Sequence, residues 1–295
     1  MSYPIVTIPA DAREDTEQLG SKPKFWVVLN GERWLFKEAR ADTGEDWAEK
    51  AAAEIAKALV IRAATVELAE YQGRRGSISL NFVDVKGGQA LVHGNEILAL
   101  RVTGYDKGKT FSQADHTLEN IESAIRGLFG PNRADAILTE LAGYMVLDAL
   151  IGNTDRHHEN WGLLIQVQAS PGALALSVAP SYDHASSLGR ELRDERRTEL
   201  LRGGRIGWYL AKGRGGIFRG PNDPHGENPL RLVQVAARAY PAFFRPALVR
   251  VASLATHDVR SIVDLLPEQR ASEPARRFAE AVILRAQATL TQSLK

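Results

Sequence analysis

Asn153-Thr154-Asp155-Arg156-His157-His158-Glu159-Asn160 sets a carboxylate, Asp155, five residues ahead of a carboxamide, Asn160. That spacing suits phosphoryl transfer, in which an acid accepts the proton of the incoming hydroxyl and an amide oxygen farther along the loop helps to hold magnesium. Such a pair recurs by chance in many chains, so its surroundings decide. Downstream, residues 161–168 (WGLLIQVQ) and 173–178 (ALALSV) are apolar runs divided by Ala-Ser-Pro-Gly, the pattern of a β-hairpin. A hairpin there returns Asp183, in Ala-Pro-Ser-Tyr-Asp-His, beside Asn160. Asn160 and Asp183 would then offer magnesium two hard oxygen ligands and leave its other positions to water and phosphate.

Upstream, residues 25–30 and 33–38 alternate apolar and polar around Gly31-Glu32, which puts Lys37 near the end of a strand. An ammonium on a flexible stem suits nucleotide phosphates. The order Lys37, Asp155, Asn160, Asp183 is that of a kinase. Residues 65–71 and 76–83 form a second hairpin around Gln-Gly-Arg-Arg, and residues 44–59 an amphipathic helix with Thr43 as its cap. Glu54 borders the apolar face of that helix and is a candidate to hold Lys37. Lys86-Gly87-Gly88 breaks the chain after the last of these strands, so a boundary is expected near Asp84, with Phe82 and Val83 as the hinge that meets the nucleotide base.

The chain resembles the HipA-like serine/threonine kinases of bacterial toxin–antitoxin systems. The resemblance rests on residues 19–26 (LGSKPKFW), 35–37 (LFK), 44–50 (GEDWAEK), 152–157 (GNTDRH) and Tyr182-Asp183, in that order. It implies an α+β, protein-kinase-like bilobal fold, ATP with magnesium, and transfer to a hydroxyl on a protein. It also implies Asp155 as catalytic base, Glu49 rather than Glu54 as the partner of Lys37, and Gly20, Ser21 and Lys24 in a loop over the phosphates. Phosphorylation of Ser21 would inhibit the enzyme. The family further implies an aminoacyl-tRNA synthetase as substrate and a helix-turn-helix antitoxin as partner, in a short form without the extra N-terminal subdomain of longer members. One departure is Tyr182-Asp183-His184 where eukaryotic kinases have Asp-Phe-Gly.

Composition bounds the remaining choices. With 295 residues, 44% hydrophobic and 25% charged, the chain can bury a large core or two lobes. It has no cysteine, which excludes disulfides, thiolate metal sites and cysteine nucleophiles and fits the cytoplasm. The first twenty residues lack the pattern of a signal peptide, and no run approaches the roughly 18 apolar residues that span a bilayer. A net charge of +1 gives no global reason for direct nucleic-acid binding. Arg202, Arg205, Lys212, Arg214 and Arg219 form a basic stretch without acidic neighbours, either a solvated loop or an acceptor surface.

The expected organisation is a flexible arm over residues 1–18 within an N-terminal lobe of residues 1–84, and a helical lobe over 85–295. Helical patterns cover 115–128, 133–150, 192–201, 229–239, 241–255 and 274–292, with Pro131 and Pro241 where helices could start. The histidines at 157, 158 and 184 lack the His-Glu-x-x-His spacing of a zinc hydrolase, and His157 is expected to pack beneath the loop and orient Asp155. A small-molecule or lipid phosphotransferase, or a nucleotide-binding pseudokinase, would fit the same residues.

Overall fold

Residues 2–16, 24–110, 112–167, 174–220 and 222–294 are described by the computed structural model. The chain begins with β1 (Ile5–Thr7), β2 (Arg13–Thr16), β3 (Lys24–Leu29), β4 (Glu32–Glu38) and helix α1 (Glu45–Ala58). Then follow β5 (Val66–Tyr71), β6 (Arg74–Leu80), β7 (Gln89–His93), α2 (Gly94–Ala99), α3 (Leu118–Leu128) and α4 (Pro131–Ile151). The remainder is β8 (Gly162–Val167), β9 (Leu174–Val178), α5 (Asp194–Arg202), α6 (Ile206–Lys212), α7 (Pro229–Ala239), α8 (Pro241–Ser253), α9 (Thr256–Asp264) and α10 (Glu273–Thr291).

The first sheet runs β1-β5-β6-β4-β3-β2, with β1 parallel to β5 and the other pairs antiparallel. Its two tight hairpins turn at Asn30-Gly31 (φ 51° and 81°) and Gln72-Gly73 (φ 50° and 76°). Paired positive φ values match the right-handed twist of the strands they join. Phe25, Val27, Phe36, Tyr71 and Ile78 pack together on one face of this sheet. Of the stretch expected as a flexible arm, residues 2–16 are instead tied in, since β1 and β2 are sheet strands and Tyr3 N donates to Leu265 O (2.7 Å).

Helix α1 packs on β5 and β6 through Trp47, Ala51, Ala52, Ile55 and Leu59. Thr43 does not cap it. Gly44 is the residue before its first turn, and the Thr43 hydroxyl donates to Arg40 O. Two buried carboxylates in that first turn do the anchoring. Asp46 accepts from Arg75 (2.7 and 3.1 Å) and from Arg270 (3.1 Å), and Glu45 accepts from Arg190 (2.7 Å) and from the backbone of Arg40. Acidic side chains also suit the positive end of a helix.

The helical lobe is organised by α4, in which every residue from 141 to 151 is buried. Pro131 stands at its first turn and Gly152 ends it in the left-handed conformation (φ 66°). That stop aims the chain into residues 153–160. Helix α10 packs across α4, α8 and α9, and a three-stranded sheet β7-β8-β9 flanks the loop. The β8–β9 hairpin forms as expected; the turn between them, residues 168–173, lies outside the described residues. Helices α2, α6 and α9 were not among the helical patterns expected from the sequence.

Truncating Asp46 to Ala would strip a partner from Arg270, whose side chain is only 3% exposed. Breaking such a buried pair typically costs 3–5 kcal/mol, and because Glu70 still faces Arg270 a loss of about 3 kcal/mol is expected in urea unfolding.

Candidate active site

Arg156 assembles the site. Its guanidinium makes a two-pronged pair with Asp148 near the end of α4 (Nε to Oδ2 2.7 Å, Nη2 to Oδ1 2.8 Å), and both residues are buried. The remaining donors reach Asn160 O (2.5 Å), Ser181 Oγ (2.9 Å) and Tyr182 O (3.3 Å). One planar cation thus fastens the helix end, the 153–160 loop and the 181–184 segment. Asn153 completes the base by donating to Asp148 (2.7 Å) and accepting from the Asp155 amide (3.1 Å).

Asn160 is buried and its amide donates to Asp155 O (2.6 Å), which leaves its carboxamide oxygen as the acceptor end. Asp183 holds a left-handed backbone (φ 61°), an uncommon conformation for a residue with a side chain, and its carboxylate meets Lys37 Nζ at 3.1 Å. Burial alone would lower the Lys37 pKa, but Asp183, Glu49 and Asp155 together raise it, so the ammonium stays charged.

Glu49, 2% exposed, lies behind this pair with its Oε1 3.5 Å from His184 Nδ1. Burial would raise its pKa; the neighbouring His184 and the Lys37 charge outweigh that and lower it. Its other oxygen, Oε2, is buried without a hydrogen-bond partner among the described residues. Glu54 faces elsewhere, paired with Lys50 (2.7 Å), which also binds Glu67 (2.9 Å) and Val66 O. Of the two carboxylates, the field of Glu49 reaches Lys37.

The other expected positions divide. Gly20 and Ser21 lie outside the described residues. Lys24 opens β3 in register with Lys37. The Phe82 ring stacks on Tyr182 (5.6 Å between centroids), which links the segment after β6 to the 181–184 segment. The backbone N–H and C=O of Val83 both engage the Asn81 carboxamide (3.1 and 2.9 Å).

His157 is not the histidine under the loop. His158 is, fully buried with Nδ1 2.8 Å from the Tyr105 hydroxyl. Beside it, His116 Nδ1 donates to Gly216 O (2.7 Å) and Nε2 accepts from Trp161 (3.1 Å), which fixes a neutral tautomer. Burial pushes His158 down to about 4 and His116 to about 3. Sequence reasoning also missed Arg156 and Asp148; an Arg three residues past an Asn in this loop, with an Asp near the end of the preceding helix, was the available signal.

The basic stretch is less bare than its sequence suggests. Arg205 pairs with Glu199 and Arg219 with Glu227, while Lys212 sits over the half-exposed Trp208 ring (3.8 Å).

Because the two histidines are neutral when folded and take up protons on unfolding, they favour the unfolded chain as pH falls below about 6.5. The urea midpoint should therefore drop steadily from pH 7 toward pH 4, and His116→Gln, which can keep a donor and an acceptor, should flatten that slope.

The family model described as "HipA-like C-terminal domain" matches residues 18–206. Comparison with curated proteins gives no match. The fold aligns with the Helicobacter pylori proinflammatory kinase CtkA over 99% of both chains, with a TM-score of 0.78 at 18% identity. It also aligns with a structure of the Shewanella oneidensis MR-1 toxin–antitoxin system of HipA, HipB and operator DNA, over 97% of this chain and 67% of the other, with a TM-score of 0.60 at 13% identity. At those identities the structural likeness is one of fold, a sheet lobe joined to a helical lobe. The family model spans well over half of the sequence, and the chain belongs to the HipA-like kinases.

Proposed function

We propose that this protein is an ATP- and magnesium-dependent serine/threonine protein kinase, with its lobes divided near Asp84. The observation that carries the reading is the Lys37–Asp183 contact at 3.1 Å with Glu49 close behind, whose Oε2 has no hydrogen-bond partner among the described residues. A lysine shared by two carboxylates is poised to turn from Asp183 to Glu49 and to phosphate oxygens. The buried orphan oxygen of Glu49 fits that arrangement, because such an atom costs stability unless a partner arrives.

Asp155 would act as general base, held by Asn153 and with its own carbonyl holding Asn160. Asn160 and Asp183 are oxygen donors of the type magnesium takes, and they would hold it. Magnesium bound there would neutralise charge on the phosphates as the bond breaks. Lys24, Phe82 and Val83 would line the nucleotide site. For Val83 to meet adenine through its backbone, the Asn81 carboxamide must swing aside. Gly20 and Ser21 are proposed for the loop over the phosphates, where phosphorylation of Ser21 would add about −1.5 to −2 charge and oppose ATP binding.

The acceptor is proposed to be a translation-related protein such as an aminoacyl-tRNA synthetase. A helix-turn-helix antitoxin is proposed as partner, supported by the relative whose structure includes HipB. The described residues contain no helix long and apolar enough to cross a membrane. We propose a cytoplasmic site of action.

Purified protein with radiolabelled ATP and magnesium should label a protein band in cell lysate and leave lipid and sugar acceptors unlabelled. Asp155→Asn should cut the rate by about 10² to 10⁴, the usual worth of a general base. Equal transfer by wild type and Asp155→Asn would sink the assignment. Glu49→Gln should depress transfer strongly, whereas Glu54→Gln should leave it near wild type. Mapping phosphosites after reaction should find Ser21, and Ser21→Ala should keep activity that wild type loses on incubation with ATP.

A further inference from the structure

Helix α1 and the Asp155 loop are joined by a line of polar contacts outside the roles assigned above. Glu45, the first residue of α1 and 3% exposed, accepts from Arg190 Nη1 at 2.7 Å. The other end of the same guanidinium, Nη2, donates to Ser186 Oγ at 3.2 Å. Ser186 Oγ in turn donates to Asp155 Oδ2 at 3.5 Å. Two backbone bonds hold the same frame: Gly44 N donates to Arg190 O (2.8 Å) and Thr154 N to Ser186 O (3.2 Å). The chain Glu45–Arg190–Ser186–Asp155 therefore starts one helical turn before Glu49 and ends on the proposed base.

We infer that Arg190 and Ser186 are positioning residues that make the orientation of the Asp155 carboxylate depend on the seating of helix α1. The inference rests on the kinase reading above, in which Asp155 is the base. The terminal torsion of an aspartate is broad and roughly two-fold, so each donor on its carboxylate limits the directions it samples. A hydroxyl aimed at one oxygen narrows that range. Ser186 can do this because Arg190 occupies an acceptor site of its oxygen and turns the hydroxyl proton toward Asp155. Arg190 in turn is set by Glu45, and the planar fork of an arginine is suited to bridging two partners in fixed directions. The 3.5 Å contact is long, as catalytic hydrogen bonds often are before substrate binds, and it shortens when α1 presses inward. Glu49 and Asp155 would then reach their working positions together rather than separately.

The test uses the full-length protein and measures kcat and the ATP KM separately for Ser186→Ala, Ser186→Thr, Glu45→Gln and Arg190→Lys, with a thermal midpoint for each. Loss of the positioning hydroxyl should lower kcat about 10- to 100-fold, the scale of a misplaced catalytic group, with the ATP KM little changed. Ser186→Thr should restore most of kcat because it returns the hydroxyl. Adding Ser186→Ala to Glu45→Gln should cost no more than the worse single variant, since residues acting as one unit are not additive. Ser186→Ala exposes no buried charge, so a folded variant is expected and keeps the test open even if Glu45→Gln is unstable. An enzyme that needs Asp155 yet keeps its kcat in Ser186→Ala overturns the relay alone. A wild type without transfer, or one equalled by Asp155→Asn, overturns the kinase reading and the relay with it.

Discussion

A buried guanidinium is the constraint on which the site depends. Arg156 is 5% exposed and remains charged, so it is tolerable only where its donors are met. Asp148, 3% exposed, supplies the countercharge, and Asn160 O, Ser181 Oγ and Tyr182 O take what is left. These partners come from three separate stretches of chain. Satisfying Arg156 is therefore the same event as closing the 153–160 loop against the 181–184 segment. A lysine could not substitute, because a compact ammonium lacks the fork that grips Asp148 with two parallel bonds. Buried ion pairs add little net stability over an apolar pair, and their use here is better understood as a specification of geometry.

From Arg156 the polar order continues toward the sheet lobe. Ser181 Oγ lies 2.7 Å from His184 Nε2, and the far nitrogen of that ring is 3.5 Å from Glu49. Glu49 and Asp183 then bracket Lys37. Burial opposes charge on both Lys37 and Glu49, and in each case the nearby opposite charge prevails. An ammonium held protonated and a carboxylate held ionised, in a place water reaches poorly, store electrostatic order in advance of any ligand.

Much of this was legible in the sequence because it is local. Hairpin β3–β4 follows from two alternating runs and a glycine turn, so Lys37 could be put near a strand end. Pro131, Pro229 and Pro241 mark helix starts, since a residue without an N–H costs nothing in a first turn. The helical pattern over 133–150 left Asp155 in the loop that follows it. What was not legible is long-range. Lys50 and Glu54 stand four apart on α1, so their pairing is local, but the further bond from Lys50 to Glu67 of a separate strand is long-range. His157 and His158 are adjacent, so only packing against Tyr105 decides which one is buried. The expectation of a loose N-terminus failed for the same reason: three-residue β1 has too little pattern of its own, and its order comes from pairing with β5.

The basic stretch shows how far charge counting can carry. Five basic residues between 200 and 220 have no acidic neighbour in sequence, which suggests a strong positive field. In the fold, Glu199 lies within reach of Arg196 and Arg205, and Glu227 within reach of Arg219 and Arg231. Lys212 rests on the Trp208 ring, with Arg196 and Arg205 also over it at 5.7 and 5.4 Å. Exposed pairs of this kind are individually weak and screened by salt, but they still cancel field at a distance. A molecule approaching this face would meet a half-exposed indole edged by Lys212 and by Arg196 and Arg205, which share Glu199. Selectivity there would come from shape and stacking, with charge setting the rate of encounter more than the choice of acceptor.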